Sequence, residues 1–146
     1  MNYIDIAYNE SLKAYNENEV PVGCVIIKDD KIISVNHNSK VKNNSIFEHA
    51  EILCIKEAET KLNDWRLNDC IMYVTLEPCP MCASAIEQSR IKKVYIGTKS
   101  NLKSNQNIIK SIFQNDEFYH KVDYEYLNDE RCNEILTKFF KEIRNK

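Results

Sequence analysis

Three side chains that are able to bind a metal ion lie at the starts of two predicted helices. His49 begins one helix, while Cys79 and Cys82 stand one helical turn apart at the start of another, so that both sulfur atoms can face one point. The dipole at a helix N-terminus favours the thiolate form of such cysteines. Two thiolates and one imidazole make a three-ligand zinc site whose fourth tetrahedral position stays open for water, as in catalytic zinc centres.

Glu51 supplies a carboxylate next to this predicted metal site. It lies two residues after His49, close enough to move protons without binding the metal. Zinc lowers the pKa of a bound water to about 7 and so makes hydroxide available at neutral pH. The pattern His-x-Glu, followed about 27 residues later by Pro-Cys-x-x-Cys, is the signature of zinc nucleobase deaminases. The four residues therefore predict metal-assisted deamination.

Two other uses of the cysteines compete with this interpretation. In a structural zinc site a further cysteine would supply the fourth ligand, but none of the others is paired in a zinc knuckle. A redox dithiol of Cys79 and Cys82 would leave His49 and Glu51 unexplained. The remaining cysteines are at positions 24, 54, 70 and 132. We expect most of them to be buried thiols that pack as small apolar residues.

Hydrophobic periodicity predicts the elements that position these residues. The predicted helices cover residues 4–16, 48–62, 79–89, 108–113 and 129–144, and the predicted strands cover 20–28, 31–36, 69–76, 93–97 and 122–126. The order strand, helix, strand over residues 69–97 favours parallel pairing. Since no repeat, linker or low-complexity tract interrupts the chain, we expect a single domain over residues 1–146, of the α/β class with three α/β/α layers.

The composition excludes several classes of protein. The chain has 146 residues, of which 43% are hydrophobic and 29% charged, and two Gly and three Pro exclude a collagen-like or low-complexity protein. Its 20 basic and 22 acidic residues give a net charge of −2, which argues against coating of long nucleic acids by bulk attraction. The longest nearly apolar run, residues 20–27, is too short to span a bilayer, and the N-terminus has no signal-peptide pattern. We therefore expect a cytoplasmic protein with no membrane partner.

With these residues in place, the chain resembles the cytidine/deoxycytidylate deaminase superfamily, and within it most closely the bacterial tRNA adenosine deaminases. The similarity runs almost end to end, and Thr-Leu-Glu-Pro-Cys at 75–79 is its most specific part. The similar segments are 19–23, 37–38, 49–51, 73–82, 89–90 and 139–144. The resemblance implies a cytidine deaminase-like fold, a three-layer sandwich with a central mixed five-stranded sheet.

The resemblance also implies the reaction and the roles of individual residues. His49, Cys79 and Cys82 hold one zinc ion per subunit, and Glu51 is the proton shuttle. The reaction is hydrolytic deamination of adenosine to inosine at the tRNA wobble position, on a base that is flipped out of an anticodon stem-loop. The implied substrate-binding residues are Asn38, Val20 and Ala50, and the candidate RNA contacts are Ser100, Lys103, Phe140 and Arg144.

One loop departs from the family pattern. After the strand that ends at Gly97, bacterial tRNA deaminases usually carry an Asp and, two residues later, a Lys, where this chain has Ser100 and Leu102. The amino-acid sequence of this loop resembles the corresponding segment of fungal-type cytosine deaminases, whereas the basic C-terminus is better suited to binding RNA. The alternatives are therefore a free-base deaminase that acts on cytosine or guanine, and a non-catalytic zinc scaffold subunit, against which the presence of Glu51 argues. The resemblance further implies a homodimer with active sites near the subunit interface.

Overall fold

Five helices and five strands alternate along residues 2–145, the part of the chain that the computed structural model describes. They are helix α1 (Tyr3–Asn16), strands β1 (Gly23–Lys28) and β2 (Lys31–His37), helix α2 (Ala50–Leu62), strand β3 (Cys70–Leu76), helix α3 (Pro80–Gln88), strand β4 (Lys93–Thr98), helix α4 (Ser104–Phe113), strand β5 (Asp123–Tyr126) and helix α5 (Glu130–Arg144). The predicted order of elements is confirmed. The differences lie at element ends, above all at β1 and α4.

The strands form one mixed sheet in the order β2-β1-β3-β4-β5. Strand β1 pairs antiparallel with both β2 and β3, while β3 with β4 and β4 with β5 pair in parallel. Val74 of the central strand β3 lies opposite Cys24 on one side and Ile96 on the other. The predicted central mixed five-stranded sheet and the parallel pairing across α3 are both confirmed.

Helices cover both faces of this sheet, which confirms the three-layer α/β/α class. Helices α1 and α5 pack on one face, and α2, α3 and α4 pack on the other. Because side chains alternate along a strand, Cys24 and Ile26 of β1 belong to the core under α2, whereas Val25 and Ile27 belong to the core under α1. Among the helices of residues 2–145, none combines the length and apolar character that crossing a bilayer requires.

Strand β1 begins at Gly23, three residues later than its hydrophobic pattern predicts. Pro21 has no N–H to donate to a neighbouring strand, and the N–H of Val22 donates instead to the carbonyl of Val20, over 2.8 Å. Residues 20–22 therefore form a turn, which directs Val20 away from the sheet. At Gly23 itself, α1 comes so close that a Cβ atom would lie 1.9 Å from the carbonyl oxygen of Ala7, which only glycine permits.

Helix α4 begins at Ser104, four residues before the predicted start at 108. Its buried residues, Asn105, Ile109 and Phe113, recur every fourth position and form one helical face. The first of them is polar, so the apolar pattern becomes visible only from Ile109 onward. The segment that the sequence predicts as a polar loop is thus the first turn of a packed helix.

Candidate active site

The metal-binding residues meet where two helices begin. His49 is the N-cap of α2, Cys79 is the N-cap of α3, and Cys82 lies in the first turn of α3. The Nδ1 atom of His49 is 3.7 Å from the Sγ of Cys79 and 3.4 Å from the Sγ of Cys82. A tetrahedral zinc ion with bonds of about 2.3 Å to sulfur and 2.0–2.1 Å to nitrogen separates such atoms by about 3.6 Å. The three side chains therefore fit a zinc ion without rearrangement.

The pKa values of the two thiols in this centre are shifted in opposite directions. The Cys82 thiol hydrogen-bonds to Cys79 and, against the effect of burial, lowers the pKa of Cys79 to about 4. The same hydrogen bond raises the pKa of Cys82, and burial of this thiol is a second, smaller cause of the increase. The hydrogen bond between His49 and Cys79 raises the pKa of the imidazole. The lowered pKa of Cys79 favours its thiolate form, the form in which cysteine binds metals.

The other four cysteines take no part in this centre. In residues 2–145, the cluster of side chains that are able to converge on one metal ion consists of His49, Cys79 and Cys82. All of the other cysteines are buried, and the thiol of Cys54 donates to the carbonyl of Cys24 over 3.2 Å. The structure therefore places a three-ligand site here, and the alternative of a four-cysteine structural site has no fourth ligand.

Glu51 lies in the first turn of α2, two residues after the N-cap His49, and its side chain reaches the same space. It is 4% exposed, and burial raises the pKa of its carboxyl to about 7. A carboxyl group with such a pKa is able both to accept and to donate a proton near neutral pH. The geometry thus places a proton-transfer group beside the metal-binding atoms but outside the ligand set.

A cavity of about 290 Å³, the site cavity, opens onto the metal centre. Of the predicted site residues, the structure brings Val20, Asn38, His49, Glu51 and Cys79 to its wall. Cys82 is buried behind them. Further lining residues to which the sequence analysis gave no role are Glu19, Val22, Lys40, Val41, Leu76 and Glu77. Glu19 and Glu77 lie inside the segments 19–23 and 73–82, which carry the family resemblance. Their place in these segments is the sequence feature that could have identified them as site residues.

Glu19 shapes the site cavity through the backbone. Its carboxylate is 1% exposed and accepts hydrogen bonds from the N–H groups of Val41 and Lys42, over 3.0 and 2.8 Å. These bonds fix the loop between β2 and α2 against the turn that carries Val20. These hydrogen bonds join residues that are separated in the chain by 22 and 23 positions, so no local pattern in the sequence indicates them.

Asn38 lies at the entrance of helix α2. Its Oδ1 atom accepts a hydrogen bond of 2.8 Å from the backbone N–H of Ala50. The residue also lines the site cavity. Ala50 is fully buried and outside the cavity wall. Its backbone N–H is taken by Asn38, and the substrate contact expected of Ala50 stays a prediction.

A second depression, the flanking groove, lies beside the site cavity. Leu76 lines both, so the two spaces are neighbours. The groove has a volume of about 290 Å³, and the predicted RNA contacts Ser100 and Phe140 face it. Its other lining residues are Lys99, Asn101, Asn133, Leu136 and Thr137. Lys103 and Arg144 are exposed and do not line it.

A cavity larger than the site cavity is in a different place. It measures about 620 Å³ and is lined by Trp65, Arg90 and Tyr119, among others, with none of the predicted site residues in its wall. In the described part of the chain it contains no metal-binding cluster, so the smaller site cavity is the one that holds the predicted catalytic residues. The buried Glu87 carboxylate also faces the larger cavity, and one of its oxygens lacks a hydrogen-bond partner.

Comparison with known proteins gives matches along the whole chain. The profile of the cytidine and deoxycytidylate deaminase zinc-binding region matches residues 1–98. The tRNA-specific adenosine deaminase of Aquifex aeolicus is 39% identical over 98% of this chain and 95% of its own length. That of Bacillus subtilis is 37% identical over 99% of this chain and 90% of its own length. A structure solved in a study of A-to-I editing by tRNA:A34 deaminases at the wobble position of transfer RNA superposes with a TM-score of 0.85. It is 32% identical and covers 92% of this chain and 98% of that one.

Proposed function

Because the chain belongs to the cytidine and deoxycytidylate deaminase family, we propose that it converts adenosine to inosine at the wobble position of tRNA by zinc-dependent hydrolysis. The observation that carries this function is the site cavity. There a three-ligand metal centre and the buried carboxyl of Glu51 face the same enclosed space. A metal centre with an open position and an adjacent proton-transfer group are the two parts that hydrolytic deamination requires.

His49, Cys79 and Cys82 hold the metal, and a zinc ion bound there lowers the pKa of water and so makes a hydrolytic nucleophile available at neutral pH. Glu51 accepts a proton from the attacking water and delivers it to the ring nitrogen next to the carbon under attack. It then passes the second water proton to the departing amino group, so that adenosine and water give inosine and ammonia. Burial of Glu51 supports both transfers, because it brings the pKa of the carboxyl to about 7.

Val20 and Asn38 hold the nucleoside in this proposal. Val20 offers an apolar contact to the flat face of a base, and the Asn38 amide is able to donate to the substrate through Nδ2, since its Oδ1 is occupied by the helix. The enclosed cavity requires that the target base leave the stack, which costs least in a single-stranded loop. We therefore propose an anticodon stem-loop as the minimal substrate.

The flanking groove is the proposed place for the nucleotides next to the target base. Phe140 is 44% exposed there and offers a ring on which a base can stack. Lys99 supplies a positive charge for the phosphate backbone, and Ser100 and Asn101 supply hydrogen-bonding groups. Lys103 and Arg144, exposed outside the groove, extend the basic surface toward the stem.

The proposal is tested by mass-resolved deamination with purified, zinc-loaded protein. The substrates are an anticodon stem-loop with adenosine at the wobble position, free cytosine and free guanine, with Glu51→Ala as the blank. Conversion of the stem-loop alone, which adds about one mass unit, supports the function. Conversion of a free base alone contradicts the substrate but keeps the mechanism. Equal zinc content with no conversion of any substrate by either protein points to a scaffold subunit.

We further propose that the protein acts as a single-domain homodimer in the cytoplasm. Exposed aromatic residues around the cavity of about 620 Å³ support a contact between copies. Trp65, Phe118 and Tyr119 are 50%, 44% and 93% exposed, and exposed apolar surface of this kind often marks an interface. Sedimentation of the wild type and of Trp65→Ala tests the assembly: a dimer that the substitution weakens supports it, and a monomeric wild type contradicts it.

A further inference from the structure

A buried carboxylate lies two residues before the metal ligand Cys79. Glu77 is 3% exposed and belongs to the wall of the site cavity. Its Oε1 accepts a hydrogen bond of 2.8 Å from the side-chain amide of Asn105, and its Oε2 accepts one from the hydroxyl of Tyr126. Both carboxylate oxygens therefore have a protein partner, and the metal-binding cluster in residues 2–145 consists of other side chains.

The same amide also fixes the peptide that leads into Cys79. The Nδ2 of Asn105 donates its second hydrogen to the carbonyl oxygen of Pro78, over 3.1 Å. The N–H of Glu77 donates to the carbonyl of Thr98, at the end of β4, over 2.9 Å. Residues 77–78 are therefore held by β4, by the first turn of α4 and by β5.

Asn105 connects this segment to a part of the chain that carries predicted RNA contacts. It is 6% exposed and lies in the first turn of α4, directly after the loop 99–103 that contains Ser100 and Lys103. The hydrogen bonds of Asn105 and Tyr126 to the buried Glu77 form a polar network, and such a network makes the part of the fold that contains it more rigid. Its members lie at the ends of three different elements, and Cys79 follows the held segment without an intervening residue.

We propose that Asn105 is a positioning residue that fixes Cys79 in the metal centre through Glu77 and Pro78, with Tyr126 as its counterpart on the other carboxylate oxygen. The loop 99–103 is thereby tied to a metal ligand. The part of the proposal that concerns RNA rests on the proposed function, whereas the effect on the metal centre does not. Residues that orient metal ligands from behind typically contribute about 10- to 100-fold to metal affinity or activity.

The test compares Asn105→Ala and Tyr126→Phe with Asn107→Ala, an exposed asparagine of the same helix, as the matched control. For each protein, zinc affinity is measured by competition with a chelator, and the visible spectrum of the cobalt-loaded protein reports the geometry of its thiolate ligands. Turnover of the stem-loop gives kcat and KM. Thermal unfolding of the metal-free protein shows whether the variant folds.

We expect Asn105→Ala to weaken zinc binding by at least about tenfold, to change the cobalt spectrum and to lower kcat more than it raises KM. Tyr126→Phe, which removes a single hydroxyl, shows the same changes to a smaller extent, and Asn107→Ala shows none. Unchanged zinc affinity and cobalt spectrum in both site variants overturn the proposal, even if the metal-free proteins melt at a lower temperature. Since the metal measurements need no substrate, they decide the proposal even if the stem-loop is not converted.

Discussion

The Oδ1 atom of Asn38 accepts the backbone N–H of Ala50 over 2.8 Å, so one side chain joins the loop after β2 to the first turn of the helix that carries the metal centre. The bond satisfies one of the N–H groups that a helix start leaves without a partner. The same residue lines the site cavity, and its Nδ2 is the donor that we propose for the substrate. One residue thus has a structural contact at one atom and a proposed substrate contact at the other.

Two substitutions of Asn38 separate these contacts. Asn38→Asp keeps an acceptor for Ala50 but removes the Nδ2 donor, so we expect nearly unchanged thermal stability and a higher KM for the stem-loop. Asn38→Ala removes both, so we expect the higher KM together with a loss of about 1 kcal/mol of unfolding free energy. Steady-state kinetics and denaturant unfolding measure the two effects. Equal KM values in Asn38→Asp and the wild type would exclude the substrate contact.

Replacing Glu51 tests whether its carboxyl moves protons. Glu51→Gln keeps the size of the side chain and removes the titrating group, so we expect kcat to fall by about 100- to 10,000-fold with unchanged zinc content. The measurement combines single-turnover kinetics with metal analysis of the same samples. A variant that loses its zinc, or one that keeps more than a tenth of the activity, contradicts the role assigned to this residue.

The flanking groove predicts a difference between large and small substrates. In Phe140→Ala the stacking surface is lost, so we expect KM for the stem-loop to rise at least about fivefold, while any turnover of free adenosine stays the same. Ile143→Ala, an exposed apolar residue of the same helix outside the groove, is the control. If both variants bind the stem-loop alike, the groove does not hold RNA.

Glu10 predicts a stability difference that depends on pH. Burial raises the pKa of this carboxyl, but hydrogen bonds from Lys13 and His37 outweigh burial and leave the pKa below its usual value. A lowered pKa in the folded state stabilises the fold above the unfolded pKa of about 4.3, and the contribution disappears as the pH falls through the folded value. We expect Glu10→Gln to cost about 1 kcal/mol at pH 7 and nothing at strongly acidic pH.

Urea unfolding of the wild type and of Glu10→Gln across this pH range measures the difference. Glu134→Gln, an exposed glutamate on α5, is the matched control and is expected to show no gap at any pH. A gap between wild type and Glu10→Gln that is the same at both ends of the range would show that the hydrogen bonds do not depend on the charge of Glu10.

The parts of the site that the sequence predicted are those set by local geometry. One helical turn separates Cys79 from Cys82, and a helix start places both sulfurs on one side, so their convergence follows from spacing. The remaining ligand, His49, was predicted from the His-x-Glu motif and not from spacing alone. The parallel pairing of β3 with β4 followed from the order strand, helix, strand, while the turn at Val20 depends on one missing N–H at Pro21.

The parts that sequence could not predict are contacts between distant segments. Glu77 lies 28 positions from Asn105 and 49 from Tyr126, and the hydrogen bonds between them leave no periodic pattern in the chain. The first turn of α4 was missed for the same reason, since the residue buried there is polar. Hydrophobic patterns report apolar faces, so a buried polar network is visible only once the fold has brought its members together.

The metal ligands come from two helix starts that are separated by strand β3 and by 30 positions of chain between His49 and Cys79. An ion that bonds to both ends closes that stretch into a loop, in the manner of a cross-link, and lowers the entropy of the unfolded chain. Removal of the ion by a chelator is therefore expected to lower the melting temperature and to increase hydrogen exchange in the central strand β3. An ion bound there would thus link the starts of α2 and α3 and stabilise the part of the fold between them, in addition to supporting the chemistry.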